Sequence, residues 1–199
     1  MRGHRGMIRG RGLLVRSVHM SILRDSATDS EMELGYVRIV SETTNIDRID
    51  AAILAVLQRD ARTGVRELSA EVGIAASTGS ERIRRLQQRG VVTGFHAHVD
   101  LAVLGRSVQA MVFAQVRPLS RALIDTFHHD ALEMPEVMAV FVLAGGDDFL
   151  LHVGVPHIGS LHAFLVDKLS IRKEVVQFRS SIVYAHSSKD SLENLAVQR

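Results

Sequence analysis

The hydrophobic period of this chain changes once along its length, and that change restricts the folds open to it. Between Ile46 and Val92 apolar residues recur at helical spacing, as in Ile49, Ile53, Val56 and Leu57, whereas from Val108 to Val116 they alternate with other residues. Recurrence every three or four residues lays a stripe on one face of a helix, and alternation lays one on a face of a strand. A helical region followed by a sheet region is therefore expected, an α+β organisation. The 199 residues, 46% hydrophobic and 23% charged, suffice for two modest cores.

In the helical part, Asp47 is placed to cap a helix that runs to about Arg59, with Asp50 in its first turn near the positive end of the helix dipole. A second helix is expected from Gly64, with Glu67 in the capping-box position, Val65, Leu68 and Val72 on one face, and Gly73 as its stop. A third runs from Ser77 to Arg89, turning Ile83 and Leu86 inward and Glu81, Arg84, Arg85 and Gln88 outward, and closes on Gly90 before Val91 and Val92. Short helices joined by a glycine turn describe a helix-turn-helix. Two residues weaken the third helix. Ala75 offers no capping oxygen, and Gly79 sits one turn before Ile83 on the buried face. The helix is thus expected to start late, with Ser77 as cap, and Ala75→Ser and Gly79→Val are expected to tighten DNA binding.

In the second part, Val108, Ala110, Val112, Ala114 and Val116 form one small apolar strand face, and Gln109, Met111, Phe113 and Gln115 the other. Leu123, Phe127 and Ala131 mark a helix ended by Pro135. Val137 to Leu143 and Phe149 to Val155 form a hairpin across Gly145, Gly146, Asp147 and Asp148. Leu161, Phe164, Leu165 and Leu169 build a second helix, and Val175 to Tyr184 a last strand. The order βαββαβ predicts a ferredoxin-like sheet with both helices on one face. The mixed face carrying Met111 and Phe113 then needs cover, and a second copy of the chain is the simplest supplier.

Other classes find little support. With no cysteine the chain has no disulfide, thiolate metal site or cysteine nucleophile. No GxSxG elbow, Walker loop or dinucleotide glycine pattern occurs, and the histidines lack ligand spacing, so no catalytic residue, metal or cofactor is expected. No apolar run approaches the roughly 18 residues that would span a bilayer, so no membrane partner is expected, and the absence of cysteine points to a reducing compartment, so the chain reads as cytoplasmic. The net charge of +2 is too small to argue for nucleic acid by itself. Its distribution says more: arginines stand at 2, 5, 9, 11, 16 and 24 among glycines, with no acid before Asp25. That arm is read either as a phosphate-gripping tail or as a stretch preceding a natural start at Met20 or Met32. The expected layout is residues 1–44 as a disordered or spurious extension with a short strand at Tyr36 to Val40, 45–95 as the helix-turn-helix, 96–106 as a hinge strand, 107–186 as the ligand-sensing and dimerisation domain, and 187–199 as a tail.

The stretch IDRIDAAILAVLQRDARTGVRELSAEVGIAASTGSERIRRLQQRGVVTGFHAHVD, residues 46 to 100, resembles the head of the Lrp/AsnC (feast/famine) regulators. The match rests on Ile46, Asp47, Asp50, Ile53 and Leu54, on Arg62, Glu67 and Leu68, on Arg82, Ile83, Arg85 and Leu86, and on Gly90, Val91 and Val92. It continues through Gly105 into a domain of the right element order. The resemblance implies a winged-helix-like head on double-stranded DNA, a homodimer built through back-to-back sheets that can assemble into octamers, and an amino acid or related effector. It places the effector at Gly145, Gly146, Asp147, Asp148 and Phe149, where Asp147 replaces the aromatic or histidine common in the family. DNA contact is expected from the outward face of the third helix, at Ser77, Thr78, Glu81, Arg82, Arg84 and Arg85, because a helix fits the major groove and arginine pairs bidentately with guanine. Against these stand a solvated charged helix face, a plain hairpin turn, and a metabolite-binding assembly module whose DNA recognition has degraded.

Overall fold

A computed structural model describes residues 46–193. It divides into two compact units, a helical one holding residues 46–107 and 183–193, and a sheet unit spanning Val108–Ile182.

The helical unit contains α1 (Arg48–Arg59), α2 (Val65–Val72) and α3 (Ala76–Gln88). Asp47 caps α1, its carboxylate accepting the Asp50 amide at 2.7 Å. Gly73 and Gly90 adopt left-handed φ values of 77° and 66°, which end α2 and α3 cheaply. Beyond each, the chain folds back: the Ile74 N–H donates to the Ser69 carbonyl and the Val91 N–H to the Leu86 carbonyl, both at 2.9 Å. The core is Ile53, Val56, Leu68 and Leu86, with Ile49, Leu57, Ile83, Val91 and Val92 packed around it. Val65, expected inward, is exposed.

Three expectations are corrected here. The third helix does not start late: it begins at Ala76, and Ala75 serves as N-cap with suitable backbone angles but no side-chain bond, so Ser77 lies inside the first turn. Gly79 is not a packing defect. A Cβ there would fall on the Ser69 hydroxyl and lie 3.3 Å from Ser69 Cβ, so glycine lets α2 and α3 meet closely and Gly79→Val would clash. Residues 96–106 form no strand. The Asp100 carboxylate accepts the Ala102 amide, and the Arg106 N–H donates to the Leu101 carbonyl at 2.8 Å, closing a turn with Gly105 at φ 70°. In the segment expected as a tail, Leu192 exchanges two hydrogen bonds with the side-chain amide of Gln58 in α1. The basic arm and the strand at Tyr36 to Val40 lie outside the described residues.

The sheet unit runs β1 (Val108–Val116), α4 (Arg121–Leu132), β2 (Val137–Val142), β3 (Phe149–Val155), α5 (Ile158–Ala163) and β4 (Val175–Ile182). The four strands are ordered β2-β3-β1-β4, with β1 antiparallel to both neighbours, which is the ferredoxin-like arrangement expected. Ala110, Val112, Ala114 and Val116 are fully buried against Phe127, Ala131, Leu161 and Phe164 of the helices. Each aromatic or leucine in such a core contributes about 2 kcal/mol. The second helix is not uniformly α. After α5 it widens into a π-helix, Phe164–Leu169, with Ser170 N–H donating to the Leu165 carbonyl. Bonds five residues apart bring Phe164 and Leu169 together onto the core, where both are buried.

Candidate nucleic-acid interface and effector turn

The exposed side of α3 collects charge in a specific pattern. Glu81, Arg84 and Arg85 lie one helical turn apart and are brought together: the Glu81 carboxylate accepts from Arg84 Nε at 3.0 Å, Arg84 Nη2 at 2.8 Å and Arg85 Nε at 2.9 Å. Arg84, then Arg85, hold the Glu81 carboxyl below its ordinary range. Both guanidinium groups stay open to solvent, at 56% and 66% side-chain exposure. Ser77 and Thr78 lie exposed in the first turn, where no side-chain cap occupies the leading amides.

Arg82 is placed differently. Its Nη1 reaches back to the start of α1, 2.6 Å from Asp47 Oδ2 and 2.7 Å from Asp50 Oδ1. These two bonds, Asp47 first, raise the Arg82 pKa, and Asp50 is buried. Arg82 thus ties α3 to α1, whereas Arg84 and Arg85 bond within α3 to Glu81. A polar recess of about 270 Å³, lined by Asp47, Asp50, Arg82, Arg85, Leu86 and Arg89, opens beside it.

In the sheet unit the turn between β2 and β3 separates into parts with different surroundings. Phe149 is fully buried, its ring 4.5 Å from that of Phe127, and belongs to the core. Asp148 is 3% exposed, and its Oδ2 accepts the Val116 amide at 2.9 Å and Arg117 Nη1 at 2.8 Å. That carboxylate anchors the turn on the end of β1. The two adjacent carboxylates therefore differ, and only Asp147 faces outward, its Oδ2 2.7 Å from Arg179 Nη2. Gly145 and Gly146 are exposed, and the Gly146 carbonyl accepts Gln115 Nε2 at 2.8 Å.

Arg117, Arg179 and Gln115 are members of this site that the sequence reading missed. Gln115 and Arg179 share the outward period of their strands, but only the β1–β4 register, Phe113 opposite Arg179, brings Arg179 to the turn. Among the described residues no group of three or more histidines or acids is arranged to hold a metal ion, and no helix is long and apolar enough to cross a membrane.

A helix-turn-helix with an exposed arginine face, joined in one chain to a ferredoxin-like domain with a glycine-aspartate turn, defines a class: DNA-binding regulators with a ligand-binding domain. Residues 46–87 match the AsnC-type helix-turn-helix domain, and residues 109–192 match the Lrp/AsnC ligand binding domain. The chain is 39% identical over 142 residues to the HTH-type transcriptional regulator AldR of Mycolicibacterium smegmatis, covering 71% of this chain and 83% of that one. It is 29% identical to the leucine-responsive regulatory protein of Rhizobium meliloti, over 69% of this chain and 88% of the relative. Among solved structures, a transcriptional regulator of Neisseria meningitidis in complex with L-Met superposes with a TM-score of 0.68 at 27% identity, covering 73% of this chain and 94% of that one. The chain belongs to the Lrp/AsnC family of transcriptional regulators.

Proposed function

We propose that this regulator reads double-stranded DNA through Arg84 and Arg85, with Ser77 and Thr78 at the leading end of α3, and that an amino acid binding at the turn around Gly145, Gly146 and Asp147 modulates it. The observation that carries the DNA reading is the division of labour on α3: Arg84 and Arg85 stand exposed on Glu81, whereas Arg82 is spent on Asp47 and Asp50. Glu81 keeps the two arginines extended in the free protein, and a phosphate or guanine edge replaces it on binding. Arg82 is a positioning residue, fixing the angle at which α3 is presented.

The amino-acid class is supported by relatives, one solved with L-Met and one named as leucine-responsive. The turn itself adds a physical reason. A Cβ on Gly145 or Gly146 would meet nothing within 4 Å, and neither residue has the left-handed φ that favours glycine. The fold does not demand glycine at either position, so their small size serves something approaching from outside. A second copy covering the outer sheet face completes the reading as a homodimer, with octamers as the further assembly the family resemblance implies. Acting on the chromosome places the protein in the cytoplasm.

Footprinting across the genome identifies a bound fragment, and fluorescence anisotropy on it tests the assignment. Arg84→Ala and Arg85→Ala are expected to weaken binding by about 1–3 kcal/mol each, and to flatten the salt dependence where the lost contact is to phosphate. Arg82→Met is expected instead to lower the unfolding free energy of the helical unit by about 2 kcal/mol, because it leaves Asp50 buried without its partner. Unchanged affinity in both Arg84→Ala and Arg85→Ala would remove α3 as the reading element.

A further inference from the structure

We propose that a groove formed by the C-terminal half of α1 and the chain that follows α3 is the seat of this chain's own segment 194–199, with Leu195 and Val197 as its apolar anchors. The groove lies in the helical unit, and so do residues 183–193, to which the chain returns after β4.

The groove has a volume of about 630 Å³, room for a short stretch of peptide. Leu54 and Leu57 of α1 and Val91 and Val92 beyond α3 line it, all four half-buried, and Phe95 joins them with 48% of its surface exposed. Covering such side chains is favourable in proportion to the apolar area removed from water. The chain itself indicates what covers them. Gln58, another lining residue, accepts the Leu192 N–H through Oε1 at 2.9 Å and donates from Nε2 to the Leu192 carbonyl at 3.3 Å. A side-chain amide paired in this way copies a peptide group of a neighbouring strand, so it holds backbone whatever side chain that backbone carries. The leucine side chain is 66% exposed, which agrees with a contact made by backbone. The chain is thus delivered to the groove at Leu192, and Leu195 follows three residues later, within about 10 Å when extended.

Composition divides at the same point. The approach from His186 to Ser191 is wholly polar and exposed, whereas Leu195, Ala196 and Val197 are consecutive apolar residues beyond the anchor. A polar connection leading to an apolar end suits a segment that runs through solvent and then docks. Glu193, the residue after the anchor, carries the charge opposite to that of Arg62 in the groove lining. The anchor also favours this occupant over one from elsewhere, because it holds the segment beside the groove at an effective concentration of roughly millimolar. Once seated, the segment turns the return of the chain after β4 into a fastening on α1.

Because the chain has no cysteine, introduced thiols report on this placement without interference. The full chain carrying Thr93→Cys, in the groove lining, and Ala196→Cys is treated with a short bismaleimide, and a control pairs Ala196→Cys with Ser80→Cys on α3, outside the groove. Cross-linking within one chain is expected to run at least about tenfold faster for the groove pair than for the control. Gln58→Ala, which removes the anchor and favours the helix, is expected to bring the groove pair down to the control rate. Leu195→Asp with Val197→Asp is expected to do the same, with the far-ultraviolet circular dichroism of both variants preserved. Equal rates for the two pairs, or a groove rate that neither set of substitutions lowers, would overturn the proposal. A product of twice the chain mass would overturn it too, by showing that the groove receives the segment of a second copy.

Discussion

Gly79 lies where α3 meets α2, and the space its side chain would need is taken by Ser69, whose hydroxyl is buried with no hydrogen-bond partner among the described residues. The two positions are coupled. Alanine at 79 would gain about 1 kcal/mol of helix propensity but collides with a hydroxyl that already lacks a partner. Removing the hydroxyl first leaves Ser69 Cβ 3.3 Å from the new methyl group, a contact that a shift of a few tenths of an ångström relieves. Gly79→Ala should therefore be more favourable in a Ser69→Ala background than alone, with a coupling of about 1 kcal/mol in a double-mutant cycle followed by urea unfolding. Strict additivity would mean that the two side chains do not compete for this space. From sequence, Gly79 reads as a helix-weakening residue, because propensity is local while the reason for glycine is a contact between two helices.

At the level of elements, the helix boundaries were legible where a side chain or a glycine marks them: Asp47 before α1, Gly73 after α2, Gly90 after α3. The alternation in β1 was equally legible, since one face is buried from Ala110 to Val116 and the other is not. What escaped depends on partners distant in sequence. Phe149 reads as part of a turn motif and is core, and Arg179 reads as one polar residue of a strand until β4 pairs with β1. The start of α3 lay between these cases. Ala75 gives no signal, yet the helix begins there, because Ile83 and Leu86 pack on the core and the chain leaving Gly73 has a fixed direction. With φ −68° and ψ 146°, Ala75 already has the backbone of an N-cap. Ala75→Ser is therefore expected to stabilise the helical unit by about 1 kcal/mol through a bond to the leading amides. A raised urea midpoint with an unchanged slope checks it, and no change would indicate that those amides are satisfied in another way.

On the scale of the whole molecule, the sheet is covered by helices on one face only within its unit. The opposite face is centred on Met111, Phe113, Leu150 and His152, which the register sets opposite one another on the two middle strands β1 and β3. Phe141 of β2 extends the apolar area and is 49% exposed, while the Gln109–His152 hydrogen bond of 2.9 Å settles the polar groups at its end. A two-fold axis through such a face would bring each apolar cluster against its copy, with Arg179, whose guanidinium lies over the Phe113 ring, entering the contact paired to Asp147. The same geometry makes the face intolerant of charge at its centre. Met111→Glu would place an unpaired carboxylate, and its symmetry mate, in the middle of the contact. The expected result is a dissociation constant raised at least about 100-fold, seen as a shift from dimer to monomer in sedimentation velocity with the far-ultraviolet circular dichroism preserved. DNA affinity should fall in step, because two heads held together engage two half-sites far more strongly than one head engages one. A Met111→Glu variant that still sediments as a dimer would show that assembly uses another surface, and that the half-exposed residues of this face are simply tolerated in water.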